Sequence, residues 1–128
     1  MKGKYVDGFV FPVPKKNLGA YKKMATEAAG IWKKYGALEY YECMGEDLKI
    51  KPSPDGSKPR SFVETANAKS GETVWFSFIV FKSRKHRDSV NKKVMDYFNK
   101  KYADMKDMPM PFDSKKMAYG GFNAIVIA

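Results

Sequence analysis

Residues 73–82 read TVWFSFIVFK. Aromatic and β-branched side chains occupy both odd and even positions, so an extended chain here is apolar on both faces. A strand of that kind belongs in the middle of a sheet, and Ser77 is the one polar residue at its centre. From Arg84 to about Tyr102, Val90, Val94, Tyr97 and Phe98 recur at helical spacing, while Lys85, Asp88, Lys92, Lys93 and Lys100 fall elsewhere on the circumference. On the upstream side the chain turns rich in Pro, Ser, Gly, Asp and Lys and includes PSPDGSKP. This predicts a long loop over about 45–72, with a short edge strand at Ser61 to Thr65.

Further out, Ala37 to Met44 alternates Leu38, Tyr40, Glu42 and Met44 against Ala37, Glu39, Tyr41 and Cys43, the period of a strand. The preceding Lys15 to Tyr35 carries Leu18, Tyr21, Ala25, Ala28 and Trp32 at helical spacing, with Gly36 where a helix C-terminal glycine belongs. Lys4 to Val13 reads as the opening strand. Tyr5, Asp7, Phe9 and Phe11 share one of its faces, and Val6, Gly8 and Val10 the other. Met117 to Ile127 reads as the last strand, with Gly120 and Gly121 marking a bulge or a close backbone approach. The segment before it, DMKDMPMPFDSKK, is a loop whose Met108 and Met110 fill gaps or line a pocket.

The order strand, helix, strand, strand, helix, strand predicts one α+β domain over 1–128. It is a ferredoxin-like βαββαβ sandwich, with a four-stranded antiparallel sheet and both helices on one face. The uncovered face would then carry several of Tyr5, Phe9, Phe11, Phe76, Phe78, Tyr40 and Tyr119. An apolar face of that size is an interaction surface, capped most simply by a second copy of the same sheet. The competing cap is single-stranded nucleic acid.

Composition narrows the function classes. A length of 128 residues with 44% hydrophobic content suits one globular domain. A single cysteine, Cys43, excludes an internal disulfide framework and fits a cytoplasmic protein; in its strand it reads as a small buried hydrophobe. One histidine excludes a histidine-rich metal centre, and no metal or cofactor is expected. No apolar run is long enough to span a membrane, and MKGKYVDGF has no signal-peptide core. The net charge of +10 attracts polyanions at low salt, but only Arg60, Arg84 and Arg87 among the basic residues are arginine. Lysine faces of this kind serve solubility more often than base recognition, which favours the arginine fork.

The stretches YVDGFVFPVPKKNLGAY (5–21), GALEYYEC (36–43), ETVWFSFIVFKSRKHRDSVNKKVM (72–95) and MPFDSKKMAYGGF (110–122) resemble, in order and spacing, the YbaA-like family of small bacterial proteins of unknown function. The likeness covers nearly the whole chain. That family is similar in fold to the dimeric α/β-barrel superfamily, in which two ferredoxin-like protomers pack their sheets into one barrel. Cofactor-free monooxygenases, small-ligand isomerases and haem-handling proteins belong to that superfamily. The resemblance implies a homodimer with a pocket near the sheet, and it implies no particular reaction. The run DYFNKKYADMKD after Met95 and the large lysine excess depart from the family pattern.

Asp7, Glu42 and Ser77 sit mid-strand in otherwise apolar surroundings. If registers agree they form a polar stripe across one sheet face, with Tyr119 or Asn123 beside it. A carboxylate in an apolar pocket is a candidate general acid or base, with Tyr119 or Ser77 as hydrogen-bond donor. The plainer reading is that each carboxylate pairs with a lysine or arginine. His86 and Arg87, at the start of the second helix, stand behind these four. Arg84, Lys85 and Arg87 disfavour a protonated His86, and a surface role suffices for it. The expected function is small-molecule binding in a sheet-associated pocket lined by Asp7, Glu42, Ser77 and Tyr119, with or without cofactor-independent chemistry. The alternative is weak, non-specific nucleic-acid association through lysine-rich helical faces.

Overall fold

A computed structural model describes residues 4–103 and 110–128. Four strands, β1 (Tyr5–Pro14), β2 (Glu39–Met44), β3 (Glu72–Phe81) and β4 (Ala118–Asn123), form one sheet in the order β2-β3-β1-β4. All three pairings are antiparallel. The helices are α1 (Leu18–Lys34), α2 (Phe62–Thr65) and α3 (Arg84–Lys101). Because β1 and β3 occupy the centre, each long helix carries the chain across one strand. That is the ferredoxin-like α+β arrangement the sequence predicts.

Strand alternation decides which side chains meet the helices. Tyr5, Asp7, Phe9 and Phe11 of β1 lie opposite Phe81, Ile79, Ser77 and Trp75 of β3. On that face Tyr5, Ile79 and Phe81 pack with Val90 and Val94 of α3, and Phe11, Val13 and Trp75 with Tyr21 and Ala25 of α1. Both long helices therefore cover one face. Tyr5, Phe9, Phe11, Tyr40 and Tyr119 lie on this covered side, and only Phe76 and Phe78 of the aromatic residues expected outside are there. The five change sides together because the register places Tyr40 and Tyr119 on the same face as the odd positions of β1.

The uncovered face is apolar in its own right. Val6, Val10, Phe76, Phe78, Val80 and Phe122 line a groove of about 610 Å3 on it, and Tyr41 stacks on Phe78 at 4.7 Å. Gly8 and Gly120, cross-strand partners, leave room there for the Phe122 ring. One end is closed by the long connection, where Gly45 N–H bonds the Val74 carbonyl and Phe62 packs edge-on against Phe76.

Several element boundaries differ from those expected. Ser61 to Thr65 is not an edge strand: Ser61 accepts a bond from the Glu64 N–H and starts the single turn α2, a Ser-x-x-Glu signature that outweighs the β-branched residues. The first helix opens with a 3-10 turn at Lys15–Asn17, because Pro14 leaves it without a side-chain cap. It ends as expected: Gly36 takes φ +118°, and the bonds Gly36 N–H to Lys33 and Ala37 N–H to Trp32 close a Schellman turn. The last strand stops at Asn123, four residues short of Ile127. Cys43 is exposed, because it points to the uncovered face of an edge strand. Met110 is exposed too, while Met108 lies outside the described residues. No helix among the described residues is long and apolar enough to cross a membrane.

The double glycine of β4 is a close approach and not a bulge, since the β1–β4 register runs unbroken through it. A Cβ on Gly121 would stand 2.8 Å from two ring carbons of the buried Tyr5 and closer still to its hydroxyl, whereas one on Gly120 would touch Phe122 at an ordinary 3.5 Å. Gly121→Ala is therefore expected to cost about 1–3 kcal/mol in urea unfolding. Gly120→Ala should cost clearly less, and equal losses would show that the Tyr5 contact is not the constraint.

Candidate functional site

Between the sheet and α1 lies a cavity of about 160 Å3 walled by Phe9, Phe11, Met24, Trp32 and Phe112. Its polar feature is Glu42. Alternation on β2 puts Tyr40 and Glu42 on the helix side, and the β2–β3 register sets Glu42 directly opposite Ser77. The buried Tyr21 reaches down from the inner stripe of α1. Its hydroxyl donates to Glu42 Oε2 at 2.8 Å, the Tyr40 hydroxyl donates to Oε1 at 2.8 Å, and the Ser77 hydroxyl donates to Oε2. Burial first, and then the charge of Glu42, push both tyrosine hydroxyls far above their ordinary range, so they remain protonated donors. A carboxylate offers about four acceptor positions, two on each oxygen. Among the described residues, Oε2 accepts two of these bonds and Oε1 one, which leaves Oε1 a further acceptor position. Glu42 and Tyr40 also border a depression of about 330 Å3 between α1 and β2, so the carboxylate is approached from two sides.

Asp7 and Tyr119 belong to a second cluster on the same face. Asp7 is 1% exposed and takes a bond from Arg87 Nη1 at 2.7 Å and one from Asn91 Nδ2 at 3.3 Å. Asn91 in turn accepts the Trp32 indole N–H at 3.0 Å. Arg87 Nη1 also donates to the Tyr119 hydroxyl at 2.9 Å, its Nε pairs with Asp88, and its guanidinium lies over the Tyr5 ring. Burial and then the Asp7 charge raise the Tyr119 hydroxyl. Among the described residues no buried side-chain nitrogen or oxygen lacks a partner, which is how a buried charge is made tolerable.

The four residues singled out from sequence are thus brought together two by two. Glu42 and Ser77 meet at the cavity; Asp7 and Tyr119 meet through Arg87, outside the cavity wall. Asn123 borders neither set: it pairs with Tyr5 at the end of β4. Tyr21, Tyr40, Trp32 and Asn91 were missed as site residues. The signal for Tyr21 was a phenol on an apolar helix stripe, which needs a buried partner. Asn91 had no signal in its neighbours along the chain.

His86 is half-buried. Its Nδ1 accepts the Lys82 N–H at 3.0 Å and its ring packs edge-on against Phe81. Its pKa is lowered by burial, then by Lys82 and Lys93, and not by the adjacent Arg84, Lys85 and Arg87. Lys22, Lys23, Lys33, Lys34, Lys85, Lys92, Lys93 and Lys100 are all exposed on the helical side.

Comparison with known proteins places the chain. The family described as a protein of unknown function (DUF1428) matches residues 4–114. The chain is 42% identical over 124 residues to the uncharacterized protein YbaA of Escherichia coli strain K12, covering 96% of this chain and 97% of that one. The Shigella flexneri protein of the same description matches to the same extent. Among solved structures, the de novo designed protein Foldit4 aligns over 97% of this chain and 99% of its own, with a TM-score of 0.41 and 8% identity.

Two outcomes follow from the geometry. Asp7→Asn takes the buried charge partner from Arg87 and leaves it only the exposed Asp88; it is expected to cost about 1–3 kcal/mol, against less than about 1 for Asp88→Asn, both read by urea unfolding. A folded-state pKa of His86 below 6.5 means the unfolded chain binds the extra proton first. Stability should therefore fall as pH drops below about 6.5 in thermal melts. His86→Asn keeps an acceptor for Lys82 and should flatten that slope; an unchanged slope would assign it to other groups.

Proposed function

The chain belongs to the DUF1428 family, the one its sequence resembles, and we propose that it is a homodimeric binding protein for a small, largely apolar molecule bearing one N–H or O–H donor. The observation that carries the reading is the open acceptor position of Glu42 on the wall of an aromatic cavity. Three hydroxyls hold the carboxylate in place before any ligand arrives, so its remaining position is preorganised. A dry cavity of about 150 Å3 accommodates benzene, which sets the scale of the ligand at a single six-membered ring or its equivalent. Glu42 is half-buried, and a donor on the ligand adds a charge-assisted bond at this position, so the site favours a ligand with a donor over one without.

The same position is where a proton from a sufficiently acidic ligand would go, and that step would need no metal or organic cofactor. Asp7 and Tyr119, engaged with Arg87, act as the support of α3 beside the cavity and not as its lining. The apolar face opposite the helices is covered by the same face of a second copy, which leaves the cavities on the outside of the paired sheets. The lone, exposed cysteine fits a reducing cytoplasm.

Toluene, phenol and benzylamine test the site, with binding followed by amide resonances. Phenol and benzylamine are expected to bind, perturbing Phe9, Tyr21 and Ser77, and Glu42→Gln should weaken both by about tenfold, or about 1.4 kcal/mol. Toluene should bind equally to both proteins. If none of the three reaches the cavity at millimolar concentration, or if Glu42→Gln affects toluene as much as phenol, the reading fails.

A further inference from the structure

We propose, building on the reading of Glu42 as the binding group, that the ligand of the cavity is a cation: an organic molecule about one ring in size whose protonated nitrogen donates to the carboxylate. The ion pairs among the described residues belong to Asp7, Asp88 and Glu27. Glu42 is held instead by three neutral hydroxyls, those of Tyr21, Tyr40 and Ser77. These bonds orient the carboxylate and bring no positive charge to it. Burial and the charge of Glu42 keep both phenols protonated, so they remain donors and do not add charge of their own.

The rest of the lining points the same way. Among the described residues no lysine or arginine lines the cavity, in a chain that holds 24 of them. Its walls are largely rings, Phe9, Phe11, Trp32 and Phe112. Ring faces are negative and attract a cation within about 6 Å, so aromatic walls around a carboxylate suit an ammonium-type group better than an aliphatic pocket would. On the other side of the carboxylate Lys22 borders the outer depression, but it makes no ion pair with Glu42. The net charge of +10 repels cations at a distance, yet that field is screened over about 8 Å at physiological salt, and the groups at the site decide the affinity. A neutral donor of the same shape makes the hydrogen bond and leaves the charge unmatched. A protonated nitrogen does both, through a bond with charge on each partner. A quaternary ammonium lacks the N–H that the further position on Oε1 calls for.

Imidazole is the probe, because it is one ring in size, carries an N–H in both protonation states and titrates near neutral pH. Its own C2 proton reports its charge separately from His86, and the amide resonances of Phe9, Tyr21 and Ser77 report that it occupies the cavity. Bound to the wild-type protein, its pKa should rise by at least about one unit, the equivalent of a tenfold preference for the cation over the neutral form of the same molecule. A cavity that is merely apolar would lower it. Glu42→Gln should abolish the rise, and a rise that persists in that variant overturns the role given to Glu42. Should Glu42→Gln fail to fold, the sign of the wild-type shift decides alone. A bound pKa that is unchanged or lowered, with phenol still shifting the same amides, overturns the cation and leaves the donor-bearing ligand standing. If neither phenol nor imidazole shifts them at millimolar concentration, both readings fall.

Discussion

Ten consecutive residues of β1 pair with ten of β3, and that register governs the rest of the molecule. Side chains alternate with a period of two, so a slip of one residue would exchange the two faces completely. Tyr5, Phe11, Ile79 and Phe81 would move away from α1 and α3, and Val6, Val10, Phe76 and Phe78 would move under them. The same slip would carry Asp7 out from beneath Arg87 and Ser77 away from Tyr21. The core and the candidate site therefore rest on one constraint.

Within that constraint the polar residues are distributed by what can reach them. Asp7 lies under α3, where Arg87 and Asn91 project from successive turns and satisfy both its oxygens. Glu42 lies nearer α1, which offers a phenol in place of a cation. The first arrangement neutralises a charge and leaves little for a ligand. The second surrounds a carboxylate with neutral donors and, among the described residues, keeps one acceptor position without a partner, on the wall of the cavity. This difference, and not the presence of a carboxylate alone, separates a structural ion pair from a candidate binding group.

The outer surface shows a parallel division. The helical side is lysine-studded and stays in water. The opposite sheet face and residues 125–127 carry exposed apolar side chains. The Glu42 cavity lies on the helix side of the sheet, so it and the exposed apolar face are separate surfaces.

Much of this was legible in the residues. The number, type and order of the main elements follow from periods of two and 3.6, which any short window reveals. So do the helix stop at Gly36 and the central place of residues 73–82, whereas the expected stripe divides, Glu42 standing opposite Ser77 and Asp7 opposite Ile79. The short helix at Phe62–Thr65 was misread because its capping signal competed with β-branched neighbours. The depth of Cys43 was misread because alternation says that two faces exist and not which is covered. By itself the sequence determined the family, the fold class and which strand positions share a face, all properties of local periodicity. Only the tertiary structure decided that the odd face of β1 is the covered one, and that Glu42 meets Tyr21 while Asp7 meets Arg87. Those contacts join residues 21 and 80 positions apart, and local periodicity carries no record of which distant side chain will stand opposite.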